Sequence, residues 1–289
     1  MTERQAPRPI LWQVLTPLMV ALVPRMRGWM SNGRNIGLKR WIFRCFTDPY
    51  TNFRTDTFEA TSIDGLRFVG TLKGVSQRIL YHFGIFEPNM SAFLREHLHP
   101  GDVYLDVGAN IGYFSIYGAR LVGPTGSVVA VEAAPATFVA LQASLQRNGA
   151  TNVRAINEAA FDSVSTLSLF TVEDEENPGG ASVVKAVGPP IAEVPARPLA
   201  DMLTADEIAR TRVVKIDIEG AEGQAVAGLL PVLPQMPHDV QFVVEVQPDT
   251  RAGVVEQFTA AGLKLRVMPN PLRPIDYAHE GFEYLIFSR

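Results

Sequence analysis

The stretch that decides the fold reads VYLDVGANIGYFS, residues 103–115. Its apolar start predicts a short buried strand that reaches the carboxylate of Asp106, and the amphipathic run from Tyr113 predicts a helix. Between them lies a loop with two glycines and an amide side chain: Gly108, Asn110 and Gly112. Because glycine has no Cβ, such a loop lets the backbone approach a ligand closely. The pattern therefore predicts a ligand site that these loop residues and Tyr113 contact.

The charge of Asp106 indicates the kind of ligand. A dinucleotide would lay its pyrophosphate against this helix N-terminus, where Asp106 would repel it. A ligand with a cationic amino-acid end, such as S-adenosylmethionine, would be attracted. A second apolar strand, residues 127–131, leads to Glu132, which can accept hydrogen bonds from both ribose hydroxyls of an adenosine. We predict S-adenosylmethionine as the cofactor, with an NAD-dependent oxidoreductase as the alternative that shares Glu132.

Length and composition favour a globular enzyme. The chain has 289 residues, of which 47% are hydrophobic and 19% charged, enough for one large domain or one domain with an appendage. The net charge of −4, without a long basic block, gives little electrostatic support to a nucleic-acid partner. The single cysteine, Cys45, excludes an intramolecular disulfide and a zinc site built from several cysteines. We expect a cytoplasmic enzyme.

The N-terminal region is predicted to be a cap, residues 1–75. Residues 10–23 form a mostly apolar run that is shorter than the roughly 20 residues a bilayer span needs. Their helical spacing predicts an amphipathic arm. This arm could dock on the core, join two copies of the chain as a homo-oligomer, or lie on a membrane surface. Residues 57–63 and 66–72, which flank Asp64 and Gly65, predict a hairpin.

Residues 76–289 are predicted to form the catalytic domain. Strands alternate there with helices, which indicates an α/β fold with a mostly parallel sheet and helices on both faces. The last two strands follow each other without a helix, so they predict an antiparallel edge. Residues from about 173 to 198 are acidic and then rich in glycine and proline. We interpret them as a loop insertion, either a functional lid or a surface excursion.

A second motif, KIDIEGAE, occupies residues 215–222. Asp217 and Glu219 are two positions apart, so on a strand their side chains point the same way. They lie near the carboxyl end of the strand, where open α/β sheets bind ligands. Acidic residues at a helix start are also stabilised by the helix dipole. That explanation suffices for Glu219 and Glu222, but not for Lys215 and Asp217 on the buried strand.

Together these motifs resemble the FkbM-type S-adenosylmethionine-dependent methyltransferase family. The resemblance rests on the acid-V-G-A-N-x-G loop of residues 106–112, on Glu132, and on the K-I-D-x-E-G-x-E strand of residues 215–222. It covers roughly residues 86–287 and leaves out the N-terminal 75. One departure is that two alanines separate Glu132 from Pro135, whereas the family usually has proline directly after the acid.

The resemblance implies a Rossmann-like class I methyltransferase sheet of seven strands. It also implies O-methylation of a sugar or of a polyketide-type natural product. The acceptor would be a small molecule or a glycolipid. By their position after the third strand, Glu158 and Ala159 are expected near the adenine. A non-catalytic adenosyl-binding protein is a further alternative, which the cost of burying unpaired carboxylates disfavours.

The candidate catalytic residues follow from the chemistry of a hydroxyl acceptor. A hydroxyl is a poor nucleophile, so a base or a metal ion must help to remove its proton. Asp217 is the first candidate for this base and Glu219 the second, and Glu245 could join them from the end of its own strand. Three carboxylates near one sheet edge could also hold Mg²⁺.

Overall fold

The computed structural model describes residues 57–72, 74–171, 181–185, 188–268 and 283–289. The predicted arm at residues 10–23 and the first part of the predicted loop insertion lie outside the described residues. No helix within the described ranges is both long enough and apolar enough to cross a membrane.

The described chain begins with the predicted hairpin, β1 (Thr57–Thr61) and β2 (Arg67–Thr71), whose strands pair antiparallel. The further strands are β3 (Val103–Val107), β4 (Ser127–Val131), β5 (Val153–Ile156), β6 (Ala159–Ala160), β7 (Ser165–Thr171), β8 (Ala181–Ser182), β9 (Ala192–Arg197), β10 (Thr211–Ile216), β11 (Gln241–Val246), β12 (Lys264–Val267) and β13 (Glu283–Ser288). The helices are α1 (Val75–Phe83), α2 (Pro88–His97), α3 (Tyr113–Val122), α4 (Pro135–Asn148), α5 (Leu199–Met202), α6 (Ala205–Arg210), α7 (Glu222–Leu229) and α8 (Arg251–Ala260).

Seven strands of the described chain form one large sheet in the order β12-β13-β11-β10-β3-β4-β5. Neighbours from β11 to β5 pair in parallel, and β13 is antiparallel to both β11 and β12. The predicted fold class is therefore confirmed, with one difference. The antiparallel strand, β13, is not at the edge of the sheet but lies between β11 and the edge strand β12. The strand order reverses at β3, which places the predicted glycine loop at the switch point where such sheets bind ligands.

Both faces of the large sheet are buried, as expected of a mainly parallel sheet. Because side chains alternate along a strand, Tyr104 of β3 contributes to the hydrophobic cluster on one face. Leu105 and Val107 contribute to the cluster on the other. The first face is covered by α2, α3 and α4, and the second by helices that include α7 and α8.

The hairpin shares the core of the large sheet. Phe68 is fully buried in the same cluster as Tyr104. The amide of Val69 donates to Ser144 Oγ at 3.0 Å, and that of Arg67 donates to Asn148 Oδ1 at 2.9 Å. These contacts fix the hairpin on α4. The domain boundary at residue 75 stays a prediction.

Part of the predicted loop insertion is a strand. β9 pairs antiparallel with β7 and in parallel with β6, so the loop prediction is wrong for these residues. Val194 and Ala196 are buried while Glu193 and Pro195 are exposed, the alternation of a half-buried strand. Pro195 obscured this pattern, because proline is rare inside sheets. It is tolerated since the pairing with β6 starts only at Ala196.

Candidate functional site

Gly108 packs the loop after β3 against the ends of both neighbouring strands. Its φ is +81°, and a Cβ at this position would lie 1.8 Å from the main-chain oxygen of Asp217 on the β10 side. On the β4 side, the amides of Gly108 and Ala109 donate to the Val131 carbonyl at 2.9 and 3.0 Å. Only glycine combines this backbone conformation with this close approach.

The other two predicted loop residues connect the loop to the helices around it. Asn110, with φ +49°, exchanges hydrogen bonds with Gln77 and Ser76 of α1 at 3.3 and 3.4 Å. Gly112 is the N-cap residue directly before α3, with φ +90°, and a Cβ there would lie 2.6 Å from Leu141 Cδ1. Helix α1 is therefore part of the wall around the loop.

Glu132, directly after β4, is held by two main-chain amides. Its Oε2 accepts from the amide of Asn110 and its Oε1 from that of Ala134, each at 2.9 Å. Burial raises the pKa of Glu132 to about 7, although both hydrogen bonds favour the charged form. The carboxylate is thus fixed in orientation next to the loop.

A cavity of about 250 Å³ joins this loop to the carboxyl ends of β10 and β11. We call its first part the loop end; the residues there include Gly108, Asn110, Glu132, Ala133, Glu158 and Ala159. We call its second part the acidic end; the residues there include Glu87, Phe114, Lys215, Asp217, Glu219 and Glu245. Tyr113 also lines the cavity, whereas Gly112 and Asp106 are not among the described residues on its wall. Most of the predicted site residues therefore meet at one cavity.

Asp106 lies beneath the loop. It is 1% exposed, its Oδ2 accepts from Ser115 Oγ at 2.5 Å, and its Oδ1 is 4.0 Å from Lys215 Nζ. Burial raises the pKa of Asp106, while the Lys215 ammonium and the Ser115 hydrogen bond oppose that rise. Asp106 is not on the cavity wall, but it lies next to Lys215, which is. A direct contact of Asp106 with the cofactor stays a prediction.

Lys215 connects the two acidic motifs. It is 2% exposed, its Nζ donates to Asp217 Oδ2 at 2.9 Å, and the same nitrogen lies 5.5 Å from the centre of the Phe114 ring. Burial alone would lower the pKa of Lys215, but the carboxylates of Asp217 and Asp106 outweigh it and raise that pKa. The ammonium is therefore retained and balances buried negative charge.

The pKa values of the neighbouring carboxyl groups of Asp217 and Glu245 shift in opposite directions. Burial would raise the pKa of Asp217, but the Lys215 ammonium and a hydrogen bond with Glu245 outweigh burial and lower it. Burial and the Asp217 charge raise the pKa of Glu245 well above its usual range. The ionised form is therefore favoured at Asp217 and the protonated form at Glu245.

Two residues were missed from the sequence: Glu87, which lines the acidic end, and Tyr284, which contacts it. Glu87 precedes α2, and Tyr284 on β13 donates from its hydroxyl to Glu87 Oε2 at 2.5 Å. Tyr284 is also the cross-strand partner of Glu245. An acid directly before Pro88, at a helix start, was the available signal for Glu87. Nothing in the local sequence links it to Tyr284.

Other predicted roles find less support. Glu158 lines the loop end, but its carboxylate forms an ion pair with Arg197. Among the described residues, no group of three or more His, Cys, Asp or Glu side chains is arranged to hold a metal ion. The predicted Mg²⁺ site at Asp217, Glu219 and Glu245 thus has no support from the structure. The negative charge of Asp217 is balanced by Lys215 instead.

The strand order, the glycine loop after the central strand and the acid after the next strand define a class I S-adenosylmethionine-dependent methyltransferase domain. The family described as "Methyltransferase FkbM domain" matches residues 106–262, more than half of the chain. The chain belongs to this family, and the resemblance seen in its motifs is confirmed.

Two relatives illustrate the similarity in sequence. The 31-O-demethyl-FK506 methyltransferase FkbM of Streptomyces tacrolimicus is 29% identical over 159 residues, which are 46% of this chain and 61% of the relative. The protein-L-isoaspartate O-methyltransferase of Triticum aestivum is 36% identical over 74 residues, 24% of this chain and 32% of the relative. The chain thus spans less than two thirds of the length of each.

Solved structures with a similar fold are more distant. The precorrin-6y C5,15-methyltransferase from Geobacter metallireducens is 16% identical, with a TM-score of 0.46 and coverage of 71% of this chain and 91% of that one. Fibrillarin from Aeropyrum pernix, in complex with S-adenosyl-L-methionine, is 12% identical, with a TM-score of 0.44 and coverage of 81% and 99%.

Proposed function

We propose that this protein transfers the methyl group of S-adenosylmethionine to a hydroxyl group of a sugar or natural-product acceptor. The observation that carries the proposal is the single continuous cavity that joins the loop end to the acidic end. One end offers a backbone cradle and a ribose-binding acid. The other end offers carboxylates that can accept hydrogen bonds from hydroxyl groups.

The loop end fits the cofactor. Glu132 uses one hydrogen bond at each oxygen to keep its orientation, and a carboxylate has room for about four, so it can also accept from the two ribose hydroxyls. Small apolar residues, Ala133, Ala134 and Ala159, line the same end and leave space for a flat base. Gly108 keeps the backbone close to the ligand, because any Cβ there is excluded.

The acidic end suits a hydroxyl acceptor. When bound, S-adenosylmethionine supplies a methyl group that its sulfonium already activates. The task of the chain is therefore to align the acceptor oxygen and to remove its proton, and alignment can supply up to about 7–11 kcal/mol of the barrier. Ionised Asp217, held by Lys215 at 2.9 Å, can orient a hydroxyl group. The negative charge at this end disfavours acceptors that carry phosphate or carboxylate groups.

Relatives add support for oxygen as the acceptor atom. The printed name of the Streptomyces tacrolimicus relative, 31-O-demethyl-FK506 methyltransferase, refers to methylation of an oxygen. Transfer of that chemistry to this chain is our proposal, since the match covers 61% of the relative.

Calorimetric titration with S-adenosylhomocysteine, and in parallel with NAD, tests the cofactor. We expect micromolar binding of S-adenosylhomocysteine and no binding of NAD. A screen with tritiated S-adenosylmethionine against methyl glycosides and macrocyclic polyols then tests the acceptor class. Binding of NAD alone would reject the proposal. If amines and carboxylates are added to the screen, label transfer only to amines would reject O-methylation, and label transfer only to carboxylates would reject a hydroxyl as the acceptor group.

A further inference from the structure

The side chain of Gln77 on α1 connects the hairpin to the glycine loop. Its Oε1 accepts from the main-chain amide of Thr71 at 2.8 Å, and its Nε2 donates to Asn110 Oδ1 at 3.3 Å. Because a main-chain amide can only donate, the oxygen of the Gln77 amide must face Thr71, and its amino group is left to face Asn110. The hairpin therefore fixes which end of the Gln77 side chain meets the loop.

Strand β2 has room for Gln77 because Gly70 has no side chain. A Cβ on Gly70 would lie 2.6 Å from Gln77 Oε1 and 3.0 Å from the ring of Phe58, so a larger residue there would displace the Gln77 amide. Gln77 is half-buried and lines the cavity, as do Ser76 and Leu80 of the same helix. The contact between α1 and the loop is thus part of the cavity wall.

Asn110 has a left-handed backbone, with φ +49°. Asparagine adopts this region more readily than most residues with a side chain, but still at a cost. Two hydrogen bonds to Asn110 Oδ1 stabilise the conformation, one from the amide of Ile111 at 2.8 Å and one from Gln77 at 3.3 Å. The Asn110 amino group donates to Ser76 Oγ at 3.4 Å. Helix α1 therefore contacts both ends of this side-chain amide.

The backbone of Asn110 in turn orients Glu132. The Asn110 amide donates to Glu132 Oε2 at 2.9 Å, and a change in the Asn110 backbone would turn this amide away from the carboxylate. Burial raises the pKa of Glu132, and the hydrogen bond opposes the rise because it favours the charged form. Among the neighbouring charges, the Asp106 carboxylate raises that pKa and the Lys215 ammonium lowers it. Two successive hydrogen bonds thus connect Gln77 to Glu132.

We propose that Gln77 is a positioning residue of the cofactor site, which acts through Asn110 to hold the Glu132 carboxylate toward the ribose of S-adenosylmethionine. Gln77 lies outside residues 106–262, the part of the chain that matches the FkbM family. The hairpin and α1 thus complete a site whose other parts lie in the family domain. This inference rests on the cofactor part of the proposed function and does not depend on the acceptor.

The test measures the Kd of the full chain for S-adenosylhomocysteine by calorimetry, in wild type and in Gln77→Met. Methionine has nearly the length of glutamine, but it cannot donate to Asn110 and is only a weak acceptor for Thr71. At pH 8 we expect binding to be about five- to tenfold weaker, the effect of losing one hydrogen bond. The matched control is Gln142→Met at an exposed position of α4, which should bind within about twofold of wild type.

A double-mutant cycle tests whether Gln77 acts through Asn110. Glycine at position 110 adopts a positive φ without strain and has no side chain for Gln77 to contact. We therefore expect Gln77→Met to weaken binding by less than about twofold when it is combined with Asn110→Gly. If Gln77 touched the cofactor itself, or only held the hairpin, the full loss would persist in that background and reject the inference.

A second variant keeps the cycle usable if Gln77→Met does not fold. In Gln77→Glu, the carboxylate still accepts from Thr71 but cannot donate to Asn110. The added charge acts on the ligand in both backgrounds, so it cancels in the cycle and leaves the coupling with Asn110 as the measured quantity. Coupling of less than about twofold would reject the inference.

The pH dependence of binding gives a readout that a purely structural role would not change. Loss of Gln77 weakens the Asn110 hydrogen bond that favours the charged form of Glu132, so the pKa of Glu132 should rise. We expect the midpoint of the pH dependence of the Kd to move to higher pH in Gln77→Met. A glutamine that only anchors the hairpin would lower the melting temperature and leave this midpoint unchanged, which would reject the inference.

The outcomes separate this inference from the proposed function. If wild type binds no S-adenosylhomocysteine, the cofactor part of the proposed function fails, and the role of Gln77 fails with it. If wild type binds and Gln77→Met binds within about twofold of it, only the role of Gln77 is rejected. If wild type binds but transfers no methyl group to any hydroxyl acceptor, the proposed reaction fails, and the cycle still decides the role of Gln77.

Discussion

The two ends of the cavity are built in different ways. The loop end is made of main chain: Gly108 touches a neighbouring strand end, and backbone amides hold Glu132. The acidic end is made of side chains that fix one another, through the Lys215–Asp217 ion pair and the Tyr284–Glu87 hydrogen bond. A main-chain site tolerates few changes of shape, whereas a side-chain network tolerates few changes of charge. We therefore expect substitutions that change shape to damage the loop end most, and substitutions that change charge to damage the acidic end most.

The largest effect is expected from a change of shape at the loop end. In Gly108→Ala, the added Cβ would meet the Asp217 carbonyl oxygen at 1.8 Å, and the φ of +81° would be strained. We expect a loss of roughly 2–5 kcal/mol in the free energy of unfolding and no measurable binding of S-adenosylhomocysteine. Urea unfolding and calorimetry measure the two effects.

Gly253→Ala is the control for this change. Gly253 lies within α8, and its added Cβ would have nothing within 4 Å, so this variant should gain up to about 1 kcal/mol of stability. If Gly108→Ala bound S-adenosylhomocysteine with the wild-type Kd, the loop end would not depend on main-chain packing.

A change of charge should damage the acidic end almost as much. Lys215→Met keeps an apolar stem but leaves Asp106 and Asp217 without the buried ammonium. Breaking a buried ion pair in this way costs about 3–5 kcal/mol, which urea unfolding would detect. The double variant Lys215→Met/Asp217→Asn should recover part of the loss, because one unpaired charge is then removed.

The control for this variant is Lys264→Met on the exposed strand β12, which should change stability by less than about 0.5 kcal/mol. If both lysine variants lost the same free energy of unfolding, the buried charge network would contribute nothing to stability.

The smallest effect concerns the pH dependence of cofactor binding. The pKa of Glu132 is raised to about 7, and we expect the ribose hydroxyls of the cofactor to donate to its ionised carboxylate. Binding of S-adenosylhomocysteine should therefore tighten as pH rises, by about tenfold from pH 6 to pH 8 for a group with this pKa, and level off above that. Glu132→Gln should bind more weakly at pH 8 and show a much smaller slope. An unchanged slope in this variant would assign the titration to another group.

The stability of the free protein should follow the opposite trend. The ordinary glutamate pKa of 4.5 is raised to about 7 by folding, so the folded state holds this proton more tightly than the unfolded chain does. The contribution of Glu132 to stability therefore falls as pH rises from about 4.5 through 7.

The two ends also differ in how far they could be predicted from the sequence, because one is built from main chain and the other from side chains. The loop end depends on the consecutive residues 106–112 and on an acid at the end of the next strand. Its pattern is therefore local and can be recognised in the sequence. Asp217 and Glu245 were found because each lies at the end of a buried strand. Glu87 and Tyr284 are 197 positions apart, and only the folded sheet brings them together.

The same limit explains the error at β9. A period-two pattern is visible in Val194 and Ala196, but Pro195 and the glycine-rich residues before the strand hide it. What makes proline acceptable there is the point at which β6 begins to pair. That is a property of a neighbouring strand, and it cannot be read from β9 itself.

The contact between Gly108 and Asp217 has a consequence for redesign. Asp217 supplies both the main-chain carbonyl that Gly108 contacts and a carboxylate that lines the acidic end of the cavity. A chimera could import the end of β10 from a relative in order to change the acceptor. It would then also alter the packing contact that holds the glycine loop at Gly108. Engineering should begin at the start of α2, where Glu87 lines the acidic end of the cavity and can be exchanged without altering the carbonyl that Gly108 contacts.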